Sequence, residues 1–146
     1  VTFIDNFKYN ELRDLAWGFW RLGICNRSLM RKICAAVPKA ASRIHDRSGT
    51  AFFWAGVMLA VVEAHAADPA LLTACADAML KPGVLRKATD YSVCALLRSA
   101  ERDDWRAKKP ELHRALSDEA RKRGISQAAL RSDLVADPPK WTAAFG

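Results

Sequence analysis

The side chains here that could do chemistry are the histidines His45, His65 and His113, the cysteines Cys25, Cys34, Cys75 and Cys94, and the acidic pairs Asp103-Asp104 and Asp118-Glu119. A structural zinc site draws Cys and His ligands from short, paired spacings. Here no two cysteines form a C-x-x-C pair, and the histidines are far apart along the chain. Cys34, Cys75 and Cys94 sit in apolar stretches and read as small buried hydrophobes of a reducing compartment. His65, between Glu63 and Asp68, could join them in a site, but a histidine capping the end of its own helix is the simpler expectation. Both acidic pairs read as solvated surface. The phosphate-cradling loop, the dinucleotide fingerprint, the zinc-protease H-E-x-x-H and the G-x-S-x-G elbow are all missing from the sequence. The expectation is a non-catalytic protein with no cofactor and no metal.

Binding chemistry is better represented. The 146 residues carry 23 Lys and Arg against 16 Asp and Glu, a net charge of +7, which suits an acidic partner such as RNA or an anionic surface. The charge is uneven: residues 1–50 hold nine basic and four acidic residues, 81–125 hold twelve and seven, and 51–80 hold three acids and no base. Arg13, Arg21, Arg31 and Lys32 are the candidates for one nucleic-acid-binding patch, and Arg98 and Arg102, with Arg106, for another. The acidic middle interrupts any continuous basic stripe.

The elements that must position these residues are helices. Ala, Leu, Arg and Lys are frequent, and the β-branched runs that mark strands are few. A first helix is expected from near Tyr9 to Leu22 with Asn10 as N-cap, and a second from Asn26 or Ser28 that breaks or kinks at Pro38 and continues toward Ile44. Ser48 or Thr50 caps a third, whose segment AFFWAGVMLAVV is twelve apolar or Gly residues, against the about 20 needed to span a bilayer. A buried core helix is expected there, with membrane embedding as the alternative. Asp68-Pro69 opens a fourth helix, stopped by Lys81-Pro82-Gly83; Thr89 or Asp90 opens a fifth; Pro110 opens a sixth, closed by Gly124; and Ser126 caps a last one to about Val135.

These helices repeat. LAWGFWRLG, FFWAGVMLA and YSVCALLRS begin at Leu15, Phe52 and Tyr91, spacings of 37 and 39 residues, each with large residues at the ends and small ones inside. A period near this length with two helices per unit marks an α-solenoid. The expected fold is therefore all-α: a short α-solenoid of about three helical hairpins (units 9–47, 48–83 and 84–125) plus a C-terminal helix and tail over 126–146.

The run Glu11-Leu-Arg-Asp-Leu-Ala-Trp-Gly-Phe-Trp-Arg-Leu-Gly23, followed by Leu29-Met30 and Ile33, resembles the octotricopeptide-type repeats of organellar proteins. It is similar also to the repeats of FASTK-like and RAP-domain proteins, most closely in the first unit and least in the third. The chain departs from those families in having few repeats and no recognisable RAP domain. The resemblance implies an RNA-binding or ribonucleoprotein-binding module of a mitochondrion or, alternatively, a chloroplast. The apolar middle unit points instead to an accessory structural subunit of a large organellar complex (respiratory, photosynthetic or ribosomal), contacting protein subunits or a membrane complex. No secretory signal is visible, and with Val1 at the start a targeting segment can already be absent.

Overall fold

The computed structural model describes residues 7–23 and 27–126, and among them every regular element is helical. Helix α1 (Tyr9–Arg21) is capped by Lys8, whose N–H donates to the Glu11 carboxylate at 3.1 Å. Asn10 lies one residue inside, where its Oδ1 accepts from the N–H of Glu11 at 3.0 Å, so it is not the expected cap. Helix α2 (Arg27–Ala41) runs through Pro38. The ring removes one donor near the helix end, and the Ser42 N–H still reaches the Pro38 carbonyl at 3.1 Å. Ser42 and Arg43 form a turn, and Ile44 and His45 are irregular, in place of the expected continuation.

Helix α3 (Arg47–Glu63) starts earlier than expected. Asp46 is its N-cap, accepting from the Gly49 N–H at 2.7 Å, while Thr50 donates its hydroxyl to the Asp46 carbonyl. At the other end His65 adopts φ 55°. Its N–H reaches the Val62 carbonyl at 3.0 Å, and that of Ala66 reaches Val61 at 2.8 Å, a Schellman closure with histidine in place of glycine. Helix α4 (Pro69–Met79) opens as expected, with Asp68 accepting from the Leu71 N–H. Four-residue α5 (Val84–Lys87) follows, then α6 (Asp90–Arg102), capped by Thr89, then four-residue α7 (Trp105–Lys108) and α8 (Pro110–Arg123), closed by Gly124 at φ 70°. The expected last helix after Ser126 lies outside the described residues, as do Cys25 and Asn26.

The packing follows from α3. From Ala51 to Val62 every residue but Phe52 is buried. A helix apolar all round must be covered all round. It lies between α1 and α6 and also touches α2, α4 and α5. Phe53 and Trp54 are core, while Phe52 is partly exposed. Among the described residues no helix is long and apolar enough to cross a membrane. Helix α6 is also covered on most sides, with Ser92 to Leu97 all buried, whereas α2 buries one stripe, Met30, Ile33, Cys34, Val37 and Ala40. Helix α2 also meets α4, and α8 packs on α5, α6 and α7.

Two side-chain clamps fix the last third of the chain. Trp105, fully buried, donates its indole N–H to Asp103, which also holds Lys108. Arg123 donates to the carbonyls of Leu85, Arg86 and Ala88 and to the carboxylates of Asp90 and Glu119. Its burial lowers the guanidinium pKa, but those carboxylates more than offset it and the net shift is upward. Short helices α5 and α7, absent from the expected order, exist because these clamps satisfy the turns between longer helices.

Candidate nucleic-acid interface

Helix α2 contains no acidic residue. Outside its buried stripe it presents Arg27, Arg31, Lys32 and Lys39 to solvent, and Arg43 is exposed just past the helix end. Arg27, Arg31, Ala35, Lys39 and Arg43 follow a four-residue step, which advances about 6 Å along a helix face. Among the described residues, none of the five basic side chains makes an ion pair or a hydrogen bond. Their charge is left wholly to solvent or a ligand.

At the C-terminal end of α2 the stripe runs into a cleft of about 610 Å³, walled by the ends of α2 and α4 and the first turns of α3. Ala41, Ile44, Ala78 and Val84 supply an apolar wall, and Trp54 contributes to it. His45, Arg47, Asp77 and Lys81 supply the polar groups. Arg47 lies across the turn at Gly83: a Cβ there would come within 3.3 Å of its Cδ, Nε and Cζ. Gly83 has φ 81°, so this turn both favours glycine and leaves room for the arginine. Neither Arg47 nor Lys81 has an ion-pair partner among the described residues.

The candidates read from sequence separate in space. Arg31 and Lys32 stand on the stripe. Arg21 is exposed at the end of α1, its guanidinium 5.7 Å from the centroid of the Trp20 ring. Arg13 must be corrected: it is 4% exposed and cannot join a surface patch. Its guanidinium lies 4.2 Å over the Phe52 ring and bonds to Asp14 at 2.8 Å, and its stem presses on Gly56. Burial lowers its pKa, with Asp14 acting in the opposite direction. Its place on α1 faces α3, a direction that only the packing reveals. Arg98 is largely buried and Arg102 half exposed; both are held by Glu63, at 3.1 and 3.3 Å. They tie α6 to α3 and offer far less free charge than the second patch requires.

Arg106, Arg114 and Arg121 line a different pair of cavities between α6, α7 and α8. Glu101, Asp104 and Asp118 share those walls, and Asp118 already pairs with Arg121. That region is charge-balanced, whereas α2 is not. Sequence reasoning missed Arg27, Lys39, Arg43, Arg47 and Lys81. The four-residue step from Arg27 and the acid-free helix were the available signals for the first three. Arg47 and Lys81 come together only through tertiary packing.

The histidine-centred alternative does not assemble. Both Glu63 oxygens engage arginines, Asp68 caps α4, and His65 closes α3. Among the described residues no group of His, Cys, Asp and Glu could hold a metal ion. Burial pushes the Cys34 thiol up to about 11, with Asp68 adding to the rise, and pushes Cys75 and Cys94 up as well. Thiols raised in this way are poor nucleophiles. Compared with known proteins, the chain matches no family model, no curated protein and no solved structure.

Proposed function

We propose that this chain is a non-catalytic helical-repeat module that binds RNA or a ribonucleoprotein assembly, in a mitochondrion or alternatively a chloroplast. The observation that carries the reading is the α2 stripe: five basic side chains, no acid on the helix, and no intramolecular partner for any of the five among the described residues. An ordinary solvated helix face mixes signs and forms ion pairs between residues three or four apart. An exposed cluster of one sign with no internal partners suits a polyanion whose charges repeat along a backbone. The neighbour order α1–α3–α6, with α2 beside α4, supports stacking of first helices through three units and of second helices through the first two. The organelle follows from the resemblance of the first unit alone.

The test is RNA affinity across a salt series. Each phosphate neutralised contributes a slope of about −0.7 in log K against log salt for a single strand, so engagement of the five stripe residues gives about −3.5. Arg31→Glu/Lys32→Glu should abolish most of the affinity. Absence of measurable binding at low salt would remove RNA as a direct ligand.

A second reading has its own observation. Leu22 is 75% exposed at the end of α1, beside partly buried Phe19 and Trp20. An apolar end of this kind suits an accessory structural subunit seated against another protein of a large organellar complex. Salt-resistant co-purification with such subunits, lost in Leu22→Asp, would favour it.

A further inference from the structure

We propose that the cleft between the C-terminal ends of α2 and α4 and the start of α3 holds one unstacked nucleoside-phosphate unit of single-stranded RNA. This rests on the RNA-binding reading and adds a specific receptor to it. The cleft continues the stripe: the basic row along α2 ends at Arg43, and His45 and Arg47 come next along the same chain segment. A strand whose phosphates follow α2 is therefore delivered to the cleft mouth.

The chemistry inside is that of a nucleotide site. A volume of about 610 Å³ lies within the about 300–1,000 Å³ range of pockets that enclose small ligands. Ala41, Ile44 and Ala78 offer an apolar wall to the face of a base. Arg47 and Lys81 stand on the wall as unpaired cations, the former steadied by its contact with the Gly83 turn. Asp77 is the acidic residue of the lining, able to accept from a base amino or imino group, and His45 adds a further ring nitrogen. Trp54, 2% exposed, is part of the lining and serves as a reporter of occupancy.

A paired helix cannot use this cleft. Its phosphates can follow α2, but its bases are stacked inside and cannot be turned out without unpairing. Single-strand preference is thus the signature of the cleft, and salt-dependent affinity the signature of the stripe.

The experiment measures fluorescence anisotropy of labelled oligouridylate and of a labelled RNA duplex with the whole chain. Native protein, Ala78→Phe, Lys81→Glu and Arg31→Glu/Lys32→Glu are compared, each checked for helical content by circular dichroism. The native protein should prefer the single strand by about tenfold or more. Ala78→Phe, which fills the cleft, should remove that preference while duplex affinity stays unchanged. Arg31→Glu/Lys32→Glu should weaken both ligands together. Oligouridylate should change the fluorescence of the native chain and fail to do so in Trp54→Phe. If Ala78→Phe fails to fold, Lys81→Glu decides, with an expected loss of single-strand preference. Native protein that binds both RNAs equally, or variants that keep the preference, would overturn the cleft and leave the stripe standing. No binding of either RNA would overturn both.

Discussion

We predict that Gly56→Ala destabilises this protein although it removes a glycine from the interior of a helix. On propensity alone the change should stabilise α3 by about 1 kcal/mol. The neighbourhood opposes that gain. A Cβ on Gly56 would lie 2.8 Å from Cδ and 2.9 Å from Cγ of Arg13, against about 3.5–4.0 Å for an ordinary carbon contact. Arg13 has little room to yield, because Asp14 holds its guanidinium over the Phe52 ring. Overpacking of a filled interior costs about 1–3 kcal/mol, which leaves a net loss of up to about 2 kcal/mol. The obstacle is Arg13 itself, so in an Arg13→Ala background the same substitution should stabilise. The two sites should then couple by about 1–3 kcal/mol in a double-mutant cycle. Urea unfolding of the four proteins, followed by circular dichroism, measures each corner. Stabilisation by Gly56→Ala in the otherwise native chain, or equal effects in the two backgrounds, would refute the close approach of α1 and α3 through Arg13. Arg13→Ala alone should lose about 1–2 kcal/mol through its packed stem and its hydrogen bond, with the RNA affinity of the folded protein unchanged.

Glu63→Ala should cost about 1–3 kcal/mol in urea unfolding, below the about 3–5 kcal/mol of a fully buried pair because Arg102 is half exposed; Arg102→Ala alone should cost under about 1 kcal/mol. Arg123→Ala should lower stability by about 2–3 kcal/mol, since the carbonyls of Leu85, Arg86 and Ala88 lose a charged donor together. For Cys34 the folded value, about 11, exceeds the ordinary 9.0 because of burial and then Asp68. The folded state therefore keeps a proton that the unfolded state loses, so stability is unaffected below about pH 9 and falls as pH rises through about 11. Urea midpoints across that window should fall less steeply in Cys34→Ala than in the native chain, and equal slopes would count against it.

The helical class was legible because helix start and stop signals act locally. Asp68-Pro69, Thr89 and Gly124 mark their helix ends in the structure as their types require. Asp46 was missed in favour of Ser48 and Thr50, since several good caps stood close together and sequence does not rank them. Pro38 does not end its helix, because a missing donor one turn from a helix end costs little. Helices α5 and α7 are four-residue turns too short for periodicity to mark; α5 is held by Arg123 from 38 residues away, and α7 by the local bonds of Trp105 and Lys108 to Asp103.

For the basic residues the division is sharper. That α2 has a cationic face follows from its sequence, because a helical period turns Arg31, Lys32 and Lys39 away from Met30, Ile33 and Val37 whatever surrounds them. Which arginines are free to meet a ligand depends on neighbours distant in sequence. Arg13 looked equivalent to Arg31 until α3 covered it, and Arg98 looked equivalent until Glu63 turned toward it. Local chemistry sets where a charge can point; the packing of one helix on another decides whether that charge meets water, a carboxylate or the interior.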